Sequence, residues 1–329
     1  MKRTICLTIM VTLVFTGMAH ARTYKLGVVP WAGWSPTHVA DANGFWKEQG
    51  IDVKVFNFPN NMATNAALQN KLIDIGFDMI GTAIGLYLEG LPIVIIAETD
   101  WSHGGDKIIV KKDLDAARLK GMPIGVYLNQ PSVTYFINYY LSSISLKLSD
   151  VRIVEMETDV LADKFIAGLF KIIVSYDPDA LYAERKGNGK VVATSATYEG
   201  CIPEGMMVLE DNLKTIPQDD LVKIFKGLLK AVEWSQDPVN WKEYMEILNT
   251  HTFRGHDPYS EEDLREMVAA VRIHDPTGLL ERNRDGGGLQ TYLNDLKAFL
   301  ISNKMLKKDF NPDEIFNNTA IIEALNQYK

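Results

Sequence analysis

Short apolar runs of strand length alternate with segments of helical spacing through most of this chain, and that alternation limits the fold more than any single motif. The runs at 24–29 (YKLGVV), 51–55 (IDVKV), 93–98 (IVIIAE) and 107–111 (KIIVK) read as strands, with helical composition at 35–50 and 61–72. Ser35 is placed to cap the 35–50 helix, Pro36 suits its first turn and Gly50 its exit. The pattern repeats, with strands at 123–127, 151–155, 172–176 and 190–194 and helices at 132–146 and 160–170. Such alternation predicts an α/β fold of mostly parallel sheets with helices on both faces. From about Pro217 the pattern turns helical: 220–234 and 289–301 each carry a continuous apolar stripe. No linker-like tract divides the chain, so two domains would be joined by strands that cross between them.

Lys2 and Arg3 precede a mostly apolar stretch over 5–18, and Ala19-His20-Ala21 offers small residues at a cleavage point. Residues 1–21 therefore read as a signal peptide cleaved after Ala21, and the remainder as an exported protein. Later stretches fall short of the ~20 apolar residues that a membrane-spanning helix needs. The formal charge is -8, and -10 once Lys2 and Arg3 are removed. That acidity speaks against nucleic acid and anionic membrane surfaces as partners. Cys201 is the one cysteine left after cleavage, which excludes an internal disulfide and a cysteine metal cluster. The six histidines lack metal-ligand spacing, so no metal and no cofactor are expected. His38 reads as a first-turn surface residue. No G-x-S-x-G elbow or phosphate loop occurs, and Gly187-Asn188-Gly189 precedes a strand where a dinucleotide loop must follow one. The chain reads as a non-enzyme.

In doubly wound sheets, ligands bind beyond the carboxyl ends of the strands. Five loops there share glycine, proline, small hydroxyls and aromatics: 30–36 (PWAGWSP), 79–82 (MIGT), 100–106 (DWSHGGD), 128–134 (LNQPSVT) and 175–179 (SYDPD). Trp31, Trp34 and Trp101 offer flat apolar walls. Ser132, Val133 and Thr134 follow Pro131 at a helix start, where backbone N–H groups are free. Each feature alone has a plainer reading: a tryptophan that plugs a domain edge, an ordinary helix start, an ordinary turn. Their coincidence at strand ends favours a binding cleft. Asp78, Asp100, Asp106 and Asp177 lie in or beside these loops; arginine is absent from them and Lys107 is the lysine nearby. Carboxylates beside aromatics suit an amine or a nitrogen heteroaromatic ring. Helix N-termini alone would leave room for an anion.

These stretches also carry a resemblance. The segments WAGWSPTHVADANGFWKEQGIDV, NKLIDIGFDMIGTAIGLYLEGLPIVIIA, LKGMPIGVYLNQPSVTYFINYYL and AGLFKIIVSYDPDALYA, with the C-terminal helical run from IHDPTGLLERN, resemble type II periplasmic solute-binding proteins. The group in question is the nitrate/taurine/sulfonate and thiamine-precursor one, called NMT1/THI5-like. The resemblance implies a two-lobed periplasmic-binding-protein type II clamshell with a two-strand hinge and C-terminal helices. Lobe one would span 22–110 and 205–329, and lobe two 111–204. The implied cleft is lined by Trp31, Trp34, Gly81, Thr82, Trp101, Ser102, Ser132, Val133, Thr134, Tyr176 and Asp177.

The implied function is that of a monomeric periplasmic component of an ABC importer, which captures a small solute and delivers it to a membrane permease. Loop charge points to an amine-bearing or nitrogen-heteroaromatic solute, with a pyrimidine-like thiamine precursor as one candidate. The other readings are a nitrate, sulfonate or taurine anion, a sensor for a membrane receptor, and, furthest off, a thiamine-pyrimidine biosynthetic enzyme. That enzyme branch works through clustered cysteines, which this chain lacks. The family often has Trp-Glu-Pro where this chain has Tyr176-Asp177-Pro178, and an acidic residue with alanine where it has Lys171-Ile172.

Overall fold

The computed structural model describes residues 22–114 and 118–328; the expected signal peptide lies outside them. The chain begins with β1 (Thr23–Val28), whose Tyr24, Leu26 and Val28 are buried. It passes through the tryptophan loop into α1 (Ser35–Ala42) and the short α2 (Phe45–Glu48). Next come β2 (Asp52–Asn57), α3 (Asn61–Gln69), β3 (Ile75–Met79), α4 (Ile80–Leu88) and β4 (Ile93–Ser102). A second sheet starts with β5 (Asp106–Lys111) and continues through β6 (Pro123–Val126), α5 (Pro131–Ser143), β7 (Arg152–Glu155), α6 (Thr158–Ile166), β8 (Ile172–Tyr176), α7 (Asp179–Lys186) and β9 (Gly189–Thr194). The chain returns through β10 (Pro203–Leu209) to α8 (Glu210–Leu213), α9 (Gln218–Gln236), α10 (Trp241–Ile247) and α11 (Glu261–Ala269). It ends with β11 (Val271–Ile273), α12 (Pro276–Asn283), α13 (Gly288–Ser302) and α14 (Thr319–Gln327).

The strand orders are β11-β4-β10-β3-β1-β2 in the first sheet and β7-β6-β8-β5-β9 in the second. β1 with β2 and β3, and β6 with β7 and β8, are parallel, as the alternation predicts. β5 and β10 are antiparallel to their neighbours. They carry the chain between the sheets without a crossover α-helix, the second connection holding only the 3-10 turn Ser195–Tyr198, so each enters where its neighbours end. Asp106, the first residue of β5, accordingly lies opposite Tyr176, the last of β8.

The crossings therefore lie at 103–105 and 195–202. Residues 106–110 thus pair within the second sheet, and Pro203 and Glu204 within the first. The two connections are tied together. Ser102 Oγ and Ser195 Oγ are 2.8 Å apart, Gly104 N donates to Ser195 Oγ, and the Ala270 carbonyl accepts from both His103 N and Gly105 N.

The helix expected over 35–50 is broken by Gly44, which adopts φ 70°. Ser35 does not cap it; its Oγ bonds the Ala32 carbonyl and the Tyr244 hydroxyl, both at 2.6 Å. The stripe of α9 meets the first sheet through Ile224 and Phe225, which pack with Leu26, Ile75, Ile96 and Val208. The other face is covered by α4 and α13 through Ile80, Ile84, Leu293 and Leu296. Phe136 and Ile137 of α5 cover one face of the second sheet, and Phe165 of α6 the other. Each such side chain contributes roughly 1.5–3 kcal/mol on burial.

The buried Asn283 completes β4. Its Nδ2 donates to the carbonyls of Glu98 (2.8 Å) and Leu279 (2.9 Å), and its Oδ1 accepts from Glu98 N (2.7 Å). Asn283→Leu would leave both backbone groups of Glu98 without this partner. We expect a loss of about 2 kcal/mol, read as a lower melting temperature with an unchanged circular dichroism spectrum.

Candidate functional site

The tryptophan loop leaves β1 and lies under the end of lobe two. Trp31 is buried and its ring meets Tyr176 edge-on, with centroids 5.8 Å apart at 90°. Tyr176 in turn meets Tyr127 at 4.9 Å. Trp31 Nε1 donates to Glu204 Oε2 at 2.5 Å, and the Tyr127 hydroxyl donates to Asp106 Oδ1 at 2.6 Å. Trp31, Trp34, Tyr127 and Tyr176 thus wall a cavity of about 20 Å³, completed by Val29, Asn61, Met79, Asp106 and Glu204. It has room for about one water, so a larger solute enters only if the Trp31 and Tyr176 rings part. None of these nine lining residues is Lys or Arg.

Of the expected site residues, Trp31, Trp34 and Tyr176 converge on this cavity. Trp34 is shared with a neighbouring apolar cavity of about 30 Å³, lined by Phe77, Phe225 and Leu229 among others, and it packs on Phe77. Gly81 and Thr82 meet Ser132 at the seam between the lobes, with Thr82 Oγ1 and Ser132 Oγ 2.9 Å apart. Val133 is packed in the core of lobe two, and Thr134 bonds the Gln130 carbonyl of its own helix start. Ser102 belongs to the crossing described above.

Asp177 holds Lys107, with Nζ to its two oxygens at 2.7 and 2.9 Å. The lysine expected near the cleft is therefore neutralised. Trp101 does not reach the cavity. Neighbouring strand residues face opposite sides, so with Asp100 turned inward Trp101 points away. Its Nε1 donates to Glu98, and the guanidinium groups of Arg272 and Arg282 stack on its ring at 5.3 and 4.8 Å. His38, expected at the surface, is buried between Asn57 and Thr252, and burial pushes it down to about 4. The lining also holds Val29, Asn61, Met79, Tyr127 and Glu204, which the sequence reading did not name as site residues, although Met79 opens one of its five loops. An available signal was Glu204, an acid within the otherwise apolar run PEGMMVL.

The cavity lies in a field of buried carboxyls. Burial raises Asp78 to about 7 and Asp106 to about 6, against hydrogen bonds from Asn65, Met79 N and Asn61 to the first and from Ser102 and Tyr127 to the second. Burial, and then the Asp100 carboxylate, push Glu204 well above the usual range. Glu98 differs. Burial pushes it up, but His274 and the paired Arg282 outweigh burial and hold it low.

An acid whose folded pKa is raised binds more protons folded than unfolded, so stability falls as pH rises through the folded value. Between about pH 6.5 and about pH 8 the raised Asp78 and Glu204 carboxyls dominate, and the opposing gain from His38, whose unfolded imidazole is about half protonated at pH 6.5, is smaller. The melting temperature is expected to drop by several degrees across that window, checked by calorimetry at two salt concentrations. Asp78→Asn should reduce the drop.

Comparison with solved structures supports the architecture. The ligand-binding component of an ABC-type import system from Staphylococcus aureus, solved with zinc bound, has a TM-score of 0.73 at 14% identity, covering 92% of this chain and 99% of that one. The periplasmic nitrate-binding protein NrtA from Synechocystis PCC 6803 has a TM-score of 0.71 at 16% identity, with 94% and 89% covered. The periplasmic aliphatic sulphonate binding protein SsuA from Escherichia coli has a TM-score of 0.70 at 13% identity, with 89% and 91% covered. The fold is thus that of the periplasmic binding proteins.

Among curated relatives, the putative binding protein YtlA of Bacillus subtilis (strain 168) is 23% identical over 218 residues, 62% of this chain and 63% of YtlA. The chain therefore spans less than two thirds of that relative's length. A putative ABC transporter periplasmic binding protein of Brachyspira hyodysenteriae is 25% identical over 253 residues, 71% of each. The tryptophan loop, both crossings and the whole of lobe two fall within residues 17–249, the span matched by the model of the NMT1-like family, and the chain belongs to that family.

Proposed function

We propose that this protein is the periplasmic solute-binding component of an ABC importer, that its ligand is a small amine-bearing or nitrogen-heteroaromatic solute, and that it acts by binding and delivery with no chemical step. A pyrimidine-like thiamine precursor is one candidate of this class. The observation that carries the reading is the cavity itself, walled by four aromatic rings and bordered by Asp106 and Glu204 with no Lys or Arg in its lining. Aromatic faces attract cations and stack on rings, and carboxylates accept hydrogen bonds from amines.

Solute would land on lobe one against Trp31, and lobe two would bring Tyr127 and Tyr176 over it. Only contacts made in the closed form favour closure. The closed form would then present both lobes to a membrane permease. An anion such as nitrate, taurine or a sulfonate would instead face two carboxyls with no countercharge in the lining. Among the described residues no helix is long and apolar enough to cross a membrane, in keeping with an exported binding component.

Isothermal titration with two panels tests this reading: amines and aminopyrimidines in one, nitrate, taurine and alkanesulfonates in the other. Micromolar or tighter binding confined to the first panel is expected. Tight binding confined to the second would overturn the reading.

A further inference from the structure

Asp100 and Glu204 lie directly opposite each other in the antiparallel pairing of β4 with β10, and both are buried. Asp100 Oδ1 accepts from the Thr99 hydroxyl at 2.6 Å. Asp100 Oδ2 is buried and receives no N–H or O–H among the described residues. The backbone of Gly33 closes over it so tightly that a Cβ there would come within 2.1 Å. Glu204 keeps one oxygen on the Trp31 indole N–H.

Two buried carboxyls placed opposite each other do not both ionise unless a cation joins them, and the nearby basic side chains have partners elsewhere. Arg282 and His274 face Glu98, and Lys107 faces Asp177. Of the other groups, Asp106 from β5 and the Tyr127 phenol face Glu204, and the Glu98 carboxyl and the His274 imidazole face Asp100.

We propose that Glu204 and Asp100 hold one proton between them in the empty protein, and that a cationic solute entering beside Glu204 and Asp106 displaces that proton to solvent. This rests on the function proposed above and deepens it, because it makes the pair the determinant of ligand charge. Before binding, the Glu204 O–H donates to Asp100 Oδ2 and supplies the partner this oxygen otherwise lacks. On binding, the O–H bond breaks, its electron pair stays on the Glu204 carboxylate, and the proton leaves as the cation arrives. One positive charge replaces another, so the buried site keeps the same net charge. A neutral analogue of the same shape cannot make this exchange.

The probes are benzyltrimethylammonium, benzylamine, 4-aminopyrimidine and neutral neopentylbenzene, titrated at about pH 8 in two buffers of different ionisation enthalpy. At that pH Asp78 and Asp106, with values of about 7 and about 6, are largely ionised already. The quaternary probe carries no proton of its own. We expect release of about one proton per quaternary cation bound, affinity rising by up to tenfold per pH unit, and no release with the neutral probe. In Glu204→Gln the release should vanish. On the empty protein at the same pH, infrared spectroscopy should show a neutral carboxyl band that Glu204→Gln removes.

Cation binding with buffer-independent heat, or an empty protein without the carboxyl band, overturns the shared proton and leaves the proposed function standing. Failure of every cationic and heteroaromatic probe to bind overturns both. The buffer comparison and the infrared band on the unmodified protein decide the matter if Glu204→Gln does not fold.

Discussion

Replacing Gly81 with valine is expected to lower affinity for the solute at least 100-fold. Gly81 and Gly85 lie one helical turn apart on the same face of α4, where α5 of lobe two begins. A Cβ on Gly81 would fall 2.6 Å from Ser132 N and 2.7 Å from its Cα, and one on Gly85 within 2.1 Å of Gln130 Oε1. Backbone atoms cannot swing aside as the end of a long side chain can. The larger residue would therefore hold the two helix starts apart and separate Thr82 from Ser132. A solute that gains most of its contacts on closure then binds only the open form, and its affinity drops by whatever those contacts contribute. Small-angle scattering should show a larger radius of gyration that no longer shrinks on adding solute. A valine variant that binds normally would show that the α4–α5 contact is no part of the binding-competent form.

The second large effect is expected for Trp31→Ala, about 100-fold on affinity. A large aromatic side chain buries ~150–250 Å². At ~25 cal/mol per Å², half of that area contributes roughly 2–3 kcal/mol, which is about two orders of magnitude in binding. The substitution also removes the N–H from Glu204 and one wall of the contact with Tyr176. Trp31→Phe separates the two contributions, since it keeps a ring and loses the donor. Affinity restored by phenylalanine would assign the effect to the wall. Trp34→Ala is less clean, because Trp34 also packs on Phe77 in the core of lobe one and its loss should lower the melting temperature as well.

The parts of the fold legible in the sequence were those set by local periodicity. Alternating apolar runs marked most of the strands, and the stripe of Leu289, Tyr292, Leu293, Leu296, Phe299 and Leu300 marked α13 almost to its ends. The antiparallel course of β5 and β10 was not legible, since strand direction depends on which sheet the chain enters and not on local composition. The site divides in the same way. Trp31 and Tyr176 stood out as aromatics in loops, whereas Glu204 meets Trp31 across 173 positions of sequence. Tyr127 was placed within a strand and overlooked, although its hydroxyl sits over Asp106. The outward course of Trp101 could have been read beforehand, because adjacent residues of an extended strand cannot both face one cleft.

The carbonyl of Ala270 that takes both His103 N and Gly105 N joins the end of α11 to the first crossing. Together with the Ser102–Ser195 contact, it makes the joint a narrow pivot anchored on its lobe-one side. Rotation about such a pivot moves nearby atoms little and remote ones far. Arg185, which bridges to Asp263 and Glu266 on the turns of α11 that lead to Ala270, lies beside that pivot and should move little. A pair of spin labels therefore gauges how far the jaws swing best when it is placed far from the two crossings.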